Sequence, residues 1–101
     1  MEKTITTEIF GNNAQARVFD HITCCREIDY SILDIAEASE ITRQYADQLV
    51  KRLIEKKVLK KTRKVGGTQL YKIDGKNKLA KLMTNLNDLM LNYQIAKVDN
   101  K

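Results

Sequence analysis

The sequence contains no apolar segment long enough to cross a membrane, since no run approaches the roughly 20 residues that a bilayer-spanning helix needs. Residues 1–10 also lack the basic start and the apolar stretch of a secretory signal peptide. We therefore expect a soluble cytoplasmic protein that has no membrane partner.

Residues that bind soft metal ions are scarce. Cys24 and Cys25 are the two cysteines, and as neighbours in a helix their side chains would point about 100° apart, so we expect no disulfide between them. His21 is the single histidine, which leaves a zinc site short of ligands. We predict no metal and no cofactor, an exposed His21, a Cys25 that packs in the core with Val18 and Ile22, and a Cys24 at the core's edge.

Patterns that would support catalysis are also missing. The sequence has no Ser-His-Asp arrangement, no paired carboxylates attached to an evident pocket and no glycine-rich phosphate loop before a helix. Its one double glycine, Gly66-Gly67, lies between two strand-like segments, which is the wrong context for a nucleotide loop. We therefore expect a binding protein rather than an enzyme.

Positive charge is abundant and concentrated in one segment. The chain has 101 residues, 43% of them apolar and 31% charged, which is typical of one folded domain. Residues 43–72 contain ten Lys and Arg against two acids, so this segment carries +8 while the whole chain carries +5 and the remainder −3. A basic surface of this kind indicates a polyanionic partner.

Three helices are predicted before the basic segment ends. Apolar residues at helical spacing predict a first helix over about 14–26, after a short lead at residues 6–11. Ser31 followed by Asp34 fits a capping box and predicts a second, short helix over about 32–38. Thr42 is a good N-cap for a third helix that continues to about residue 57. Its inner face is predicted to consist of Ala46, Leu49, Val50, Leu53 and Ile54.

A basic β-hairpin is predicted next. Residues 58–64 and 69–73 are rich in strand-forming types, and Gly66-Gly67 supplies the positive φ values of a tight turn. An alternative role for the lysines of this hairpin is to discourage edge-to-edge aggregation.

A short helix, a three-residue turn, a second helix and a basic hairpin together form a helix-turn-helix followed by a wing. In this order the chain resembles the winged helix-turn-helix transcriptional regulators, and in particular small archaeal members of that superfamily. The resemblance covers residues 8–74 and is carried by the segments EIFGNNAQARVFDHI, DYSILDIAEASEITRQYADQLVKRLIEKKVL and KKTRKVGGTQLYKID. It implies a mainly α fold with a small β-hairpin wing (α+β), to which this chain adds a C-terminal helix.

The resemblance also implies double-stranded DNA as the partner, bound by a dimer with the third helix in the major groove and the wing on the minor groove or backbone. Two positions depart from the family pattern. Glu40 occupies the turn position that is usually glycine, and Ala46 is smaller than the valine or isoleucine commonly found there.

Candidate DNA contacts lie on the outer face of the third helix. Gln44 and Gln48 share one face at i, i+4, and a glutamine amide can pair with both the N6 and N7 edges of adenine. Arg43 could reach guanine or phosphate, or pair with Asp47 on the helix surface, and Tyr45 could reach a phosphate or a thymine methyl group. The full predicted set is Ser31, Thr42, Arg43, Gln44, Tyr45, Gln48, Lys51 and Arg52 from the helices, and Lys60, Lys61, Arg63, Lys64 and Lys72 from the wing.

A final helix follows a turn at residues 74–77. Its apolar residues recur at spacings of three and four, which is a heptad seam of under three heptads. We predict that this helix, within a second unit of residues 76–101 that ends in a frayed tail, joins two copies of the DNA-binding unit formed by residues 1–75. The alternative is that it packs on its own domain. The predicted interface consists of Leu79, Leu82, Met83, Leu86, Leu89, Met90, Tyr93 and Ala96.

The sequence therefore predicts a sequence-specific, homodimeric DNA-binding regulator that associates with the nucleoid when bound. Repression by occlusion is the simplest mode for a small domain without an activation segment. Two alternatives stay open: a protein-interaction module that docks through the apolar terminal helix, and a non-specific, chromatin-like DNA binder.

Overall fold

The computed structural model describes the backbone of residues 4–99 and the side chains of residues 4–96. This range is mainly helical, with a two-stranded antiparallel hairpin and a long C-terminal helix, as the sequence predicts. The elements are α1 (Ile5–Phe10), α2 (Ala14–Cys24), α3 (Ile32–Ser39), α4 (Arg43–Glu55), β1 (Leu59–Val65), β2 (Thr68–Ile73) and α5 (Lys78–Asp99). Of the tail predicted to fray, residues 98–101, the backbone of residues 98–99 continues α5, and residues 100–101 lie outside the described residues. No helix in the described part is both long and apolar enough to span a membrane.

The short lead before the first predicted helix contains a helix that the sequence did not predict, α1 at residues 5–10. The Thr4 hydroxyl accepts a hydrogen bond from the Thr7 backbone N–H (3.2 Å), and the Thr7 hydroxyl oxygen accepts one from the Thr4 N–H (3.0 Å). This capping box uses threonine at its fourth position instead of the usual Glu or Gln, so the sequence pattern does not reveal it. The Thr4 hydroxyl also donates to Asp20 (2.6 Å), which attaches α1 to α2.

The first predicted helix is α2, which begins at Ala14 as expected and ends two residues early. Asn13 caps it by accepting a hydrogen bond from the Ala16 N–H (2.9 Å). Cys25 is half-buried and packs against the core, and Cys24 is exposed, as predicted.

The prediction of an exposed His21 is wrong. The ring is half-buried, with its centroid 5.0 Å from that of Tyr30 and its Nδ1 3.8 Å from the Cys25 Sγ. Its Nε2 is buried and has no hydrogen-bond partner among the described residues. Burial lowers the pKa of His21, and the nearby Asp34 carboxylate opposes this effect. A helical wheel of α2 alone misses the burial because Tyr30, in the following loop, provides the cover.

The core lies between α2, α3, α4, the base of the hairpin and the start of α5. At the contact of α3 with α4, Ala36 and Ala46 are 3% and 0% exposed, so two small residues allow close approach of the helices. The buried residues of this hydrophobic cluster are Val18, Ile22, Tyr30, Ile35, Ala36, Ala46, Leu49, Val50, Val58, Leu59, Tyr71, Ile73 and Ala80.

The hairpin turns at Gly66 (φ 57°) and Gly67 (φ 82°), as predicted. Its base belongs to the core, because Leu59 pairs with Ile73 and both are buried. The loop between α2 and α3 joins the hairpin through an isolated bridge, in which Tyr30 and Tyr71 exchange two backbone hydrogen bonds of 2.8 Å.

Helix α5 packs on its own domain along one face and exposes another. Ala80 and Asn87 are buried and Met83 is half-buried against the core. Leu82 and Leu89, by contrast, are 66% and 67% exposed. A mainly apolar cavity of about 600 Å³ lies between α1, α2, α4 and α5.

Candidate nucleic-acid interface

The turn between α3 and α4 has the three residues that the sequence predicts. Glu40 adopts a left-handed conformation (φ 56°, ψ 47°) after the last residue of α3. The Glu40 N–H donates to the Glu37 carbonyl (3.3 Å) and the Ile41 N–H to the Ala36 carbonyl (3.0 Å), which satisfies the end of the helix. The strain of a left-handed glutamate, on the order of 1 kcal/mol, is therefore offset by capping bonds.

Arg17 holds the C-terminal end of α3 through a contact that the sequence did not suggest. The Arg17 Nε donates to the Ser39 carbonyl oxygen (2.6 Å), and its Nη1 donates to the Asn12 side chain (2.9 Å). A guanidinium at a helix C-terminus satisfies a free carbonyl and interacts favourably with the helix dipole. Arg17 thus positions the turn that leads into α4.

Helix α4 presents its predicted outer face to solvent. Arg43, Gln44 and Gln48 are exposed, while the opposite face is buried in the core. Asp47, one possible partner of Arg43, forms its ion pair with Lys51 (2.9 Å). The hydrogen bond to Asp47 raises the pKa of Lys51. The alternative of an Arg43–Asp47 pair is therefore not the one that the structure adopts.

Tyr45 does not lie on this outer face as the sequence suggested. Its ring packs against the core, and its hydroxyl accepts a hydrogen bond from the Gln15 amide (2.8 Å). The aromatic ring is directed toward α2 because burial there removes apolar surface from water. The structure thus gives the Tyr45 ring a packing role, and its contact with a phosphate or a thymine methyl group stays a prediction.

The two predicted caps are both present. The Ser31 hydroxyl accepts from the Asp34 N–H (3.0 Å) and the Asp34 carboxylate accepts from the Ser31 N–H (2.9 Å), which confirms the capping box of α3. The Thr42 hydroxyl accepts from the Tyr45 N–H (3.1 Å) at the start of α4. Ser31 is buried and Thr42 is exposed, so Thr42 is the better placed of the two to meet a phosphate.

Arg63 on the wing is held by an acidic residue of the loop between α2 and α3. The Asp29 carboxylate accepts hydrogen bonds from Arg63 Nε (3.0 Å) and Nη2 (3.4 Å) and from the Thr62 hydroxyl (2.8 Å). These bonds hold the pKa of the Asp29 carboxyl below its usual range. Sequence reasoning missed Asp29, because 34 residues separate it from Arg63 and no local pattern joins them.

The wing cations fall into two groups. Arg63 and Lys64 lie near the glycine turn, where Lys64 pairs with Gln69. Lys60 and Lys72 pair directly across the strands nearer the base.

Lys60 and Lys72, with Arg26 and Lys81, line a recess of about 270 Å³ beside α5. Glu27 lines the same recess, so four cationic side chains and one carboxylate share it. Lys61 is exposed opposite Tyr71.

Metal chemistry gains no support from the arrangement of these side chains. Among the residues with described side chains, no group of three or more His, Cys, Asp or Glu is placed to hold a metal ion.

No protein-family model matches the chain, and no curated protein matches it. Solved structures, by contrast, do match this chain. A double mutant of ZitR from Lactococcus lactis is 14% identical to this chain, with a TM-score of 0.64. The match covers 84% of this chain and 57% of the ZitR chain. The adhesin competence repressor AdcR from Streptococcus pyogenes is 14% identical with a TM-score of 0.66, covering 95% of this chain and 73% of its own.

A point mutant of Staphylococcus aureus MepR, solved bound to an oligodeoxyribonucleotide, is 17% identical with a TM-score of 0.60. The match covers 91% of this chain and 69% of that one. These similarities show that the chain shares the fold of these proteins, a helix-turn-helix followed by a wing. The finer resemblance to archaeal members stays a prediction.

Proposed function

We propose that this protein is a sequence-specific regulator that binds double-stranded DNA as a homodimer. The observation that carries the proposal is the exposed outer face of α4, where Gln44 and Gln48 stand on a capped helix beside a basic wing. A mutant of MepR, to which this chain is similar in fold, was solved bound to an oligodeoxyribonucleotide, which supports DNA as the partner.

Helix α4 is the element suited to the major groove, which admits one α-helix. In this arrangement Gln44 and Gln48 read adenine edges, and each good bidentate pair discriminates by roughly 1–3 kcal/mol. Arg43, at the first position of α4, meets guanine or phosphate. Phosphate contacts come from the remaining cations of α4 and the wing, namely Lys51, Arg52, Lys60, Lys61, Arg63, Lys64 and Lys72, with Thr42 at the helix start.

Two copies would act together through α5. The outer seam of this helix exposes Leu82 and Leu89 by about two-thirds and Tyr93 by 58%, although each is a side chain that gains by burial. A symmetric pair of α5 helices would place two α4 helices on half-sites about one DNA turn apart. Occupation of such a site blocks other proteins, so repression is the mode that we propose.

Selection from a random duplex library, repeated at two salt concentrations, tests this function. We expect enrichment of an inverted repeat and, for six phosphate contacts, a log–log salt slope of roughly −5. Enrichment of no sequence at an equally steep slope would identify a non-specific binder. A slope near zero would contradict DNA binding altogether.

Variants of α4 sharpen the experiment. Gln44→Ala and Gln48→Ala should relax specificity at defined base pairs while the salt slope stays the same. Asn92→Ala, an exposed change on α5, serves as the control and should leave the selected sequence unchanged.

The exposed seam of α5 also favours a second candidate function, that of a protein-interaction module. A triple variant with alanine at Gln44, Gln48 and Arg63 separates the two candidates. A regulator loses its operator, whereas an interaction module retains its partner because α5 is untouched.

A further inference from the structure

The wing contains an acidic contact that a DNA-binding surface does not need for attraction. Asp29 is 19% exposed and places its carboxylate against Thr62 and Arg63 of β1, although each negative charge near this surface weakens its attraction for a polyanion. Attraction of a polyanion therefore does not explain why Asp29 contacts the wing.

The local backbone is arranged around this contact. The strand register shifts between Lys61 and Lys64, so Thr62 and Arg63 lie in an irregular stretch of β1. Irregularities of this kind re-aim side chains. Both side chains reach Asp29, and the adjacent Tyr30 is fixed to β2 by two backbone hydrogen bonds of 2.8 Å.

Only one edge of the guanidinium is occupied. Asp29 binds Nε and Nη2 of Arg63, while Nη1 makes no hydrogen bond to the described residues and the side chain is 67% exposed. A guanidinium carries five donors in a rigid planar fork, so fixing one edge also fixes the direction of the other. Ser31, two residues after Asp29, caps the start of α3, so the same short loop connects the wing to the helix-turn-helix.

We propose that Asp29 is a positioning residue for DNA recognition, which holds one edge of Arg63 so that its free Nη1 meets a phosphate or a minor-groove acceptor beside the site read by α4. This inference rests on the proposed function. It deepens that function, because Asp29, a residue outside the wing, sets the direction of the Arg63 side chain on the wing. Because the Arg63 side chain is 67% exposed, its ion pair with Asp29 contributes little to stability, and the contact serves orientation rather than folding.

Removal of the Asp29 charge distinguishes orientation from attraction, because the two predict opposite changes in the affinity for DNA. Asp29→Asn keeps an acceptor for the Thr62 hydroxyl and makes the protein one unit more positive. Simple attraction predicts tighter binding. Positioning predicts about tenfold weaker binding to a labelled duplex that carries the selected inverted repeat, which corresponds to one lost charge-assisted hydrogen bond. The magnitude of the salt slope should also fall by about 0.9.

Glu27→Gln is the matched control, since it removes the same charge from an exposed residue two positions earlier in the same loop. It should bind equally well or slightly tighter. Arg63→Ala should show the same loss as Asp29→Asn, and the double variant should lose no more than either single one. Equal thermal midpoints for the variants would show that folding is unaffected.

Three outcomes overturn the inference: an Asp29→Asn variant that binds as tightly as Glu27→Gln, an unchanged salt slope, or additive losses in the double variant. Wild-type protein that binds no duplex at any salt concentration overturns the proposed function and this inference together. Hydrogen exchange of the Arg63 Nε–H, followed by NMR in DNA-free protein, gives an independent test of its bond to Asp29. This proton should be protected from exchange in the wild type and lose that protection in Asp29→Asn.

Discussion

Glu40 stands at the left-handed turn position between α3 and α4, where glycine would carry no steric penalty. Its backbone N–H and that of Ile41 bond to carbonyls in the last turn of α3, so the chain leaves the helix in a defined direction. Thr42 can then cap α4. A single strained residue thus sets the relation between the two helices of the proposed interface.

His21 makes the folded protein sensitive to mild acid. Burial lowers its pKa below the ordinary 6.5, so the unfolded chain binds a proton more readily than the folded one. The stability that a neutral His21 permits is complete above pH 6.5 and is lost as the pH falls through the lowered folded value. We expect the thermal midpoint of unfolding, followed by circular dichroism, to decrease as the pH is lowered from 7.5 to 5.5.

His21→Gln is the control for this prediction, because it retains a polar side chain but does not titrate. Its thermal midpoint should change less over the same pH interval. The carboxyls of Asp29 and Asp88 do not interfere, since their pKa values are lowered from 3.8 and they stay ionised throughout. Parallel curves for the variant and the wild type would contradict a buried, titrating His21.

At the scale of elements, helix starts could be predicted better than helix ends. Ser31 and Thr42 cap their helices as the sequence indicates, because capping is a local interaction between neighbouring residues. The third predicted helix, however, ends at Glu55 rather than near residue 57. Lys57 adopts φ 61° without any glycine to signal the change, so the sequence gives no warning.

The turn of the wing permits a test at the same scale. Gly66 has φ 57°, and a Cβ added there would meet no atom within 4 Å, so any penalty comes from the backbone alone. Gly66→Val should lower the free energy of unfolding by about 1–2 kcal/mol. Gly66→Asn should cost much less because asparagine tolerates the left-handed region.

Urea denaturation of the two Gly66 variants checks this expectation. Both side chains project into open space, so a clash cannot explain a difference between them. Equal losses for valine and asparagine would show that positive φ is not what the turn requires.

At the scale of the whole molecule, the sequence predicted the charge concentration and the outer face of α4 but not the contacts that join distant segments. Arg17 reaches Ser39, Gln15 reaches Tyr45 and Asp29 reaches Arg63 across 22, 30 and 34 residues. Such pairs depend on the assembled core, which brings α2 and its following loop beside α4 and the hairpin. For the same reason the sequence pattern does not show that the Tyr45 ring packs against the core.

Helix α5 illustrates a second limit of sequence patterns. Ala80, Met83 and Asn87 are spaced by three and four and pack on the domain, while Leu82, Leu86 and Leu89 have the same spacing and stay exposed. A heptad pattern cannot show which of two neighbouring faces turns inward. Met83, and Met90 which is also half-buried, are less available to a partner than the sequence suggested.

The exposed seam gives the final prediction, which concerns the oligomeric state. If α5 joins two copies, Leu82→Glu and Leu89→Glu place charges in an apolar interface, where each buried leucine contributes roughly 1.5–3 kcal/mol. We expect the wild type to sediment at twice the monomer mass of 11.6 kDa and each variant to shift toward the monomer.

DNA binding should weaken in parallel with this shift, because a monomer engages one half-site instead of two. Asn92→Glu, which introduces the same charge at an exposed position of the same helix, should remain a dimer with wild-type affinity. The α-helical signal in circular dichroism should persist in all three variants, since Leu82 and Leu89 are exposed within a single copy. Leucine variants that stay dimeric would exclude the seam as the contact, and a monomeric wild type with full operator affinity would exclude the dimer itself.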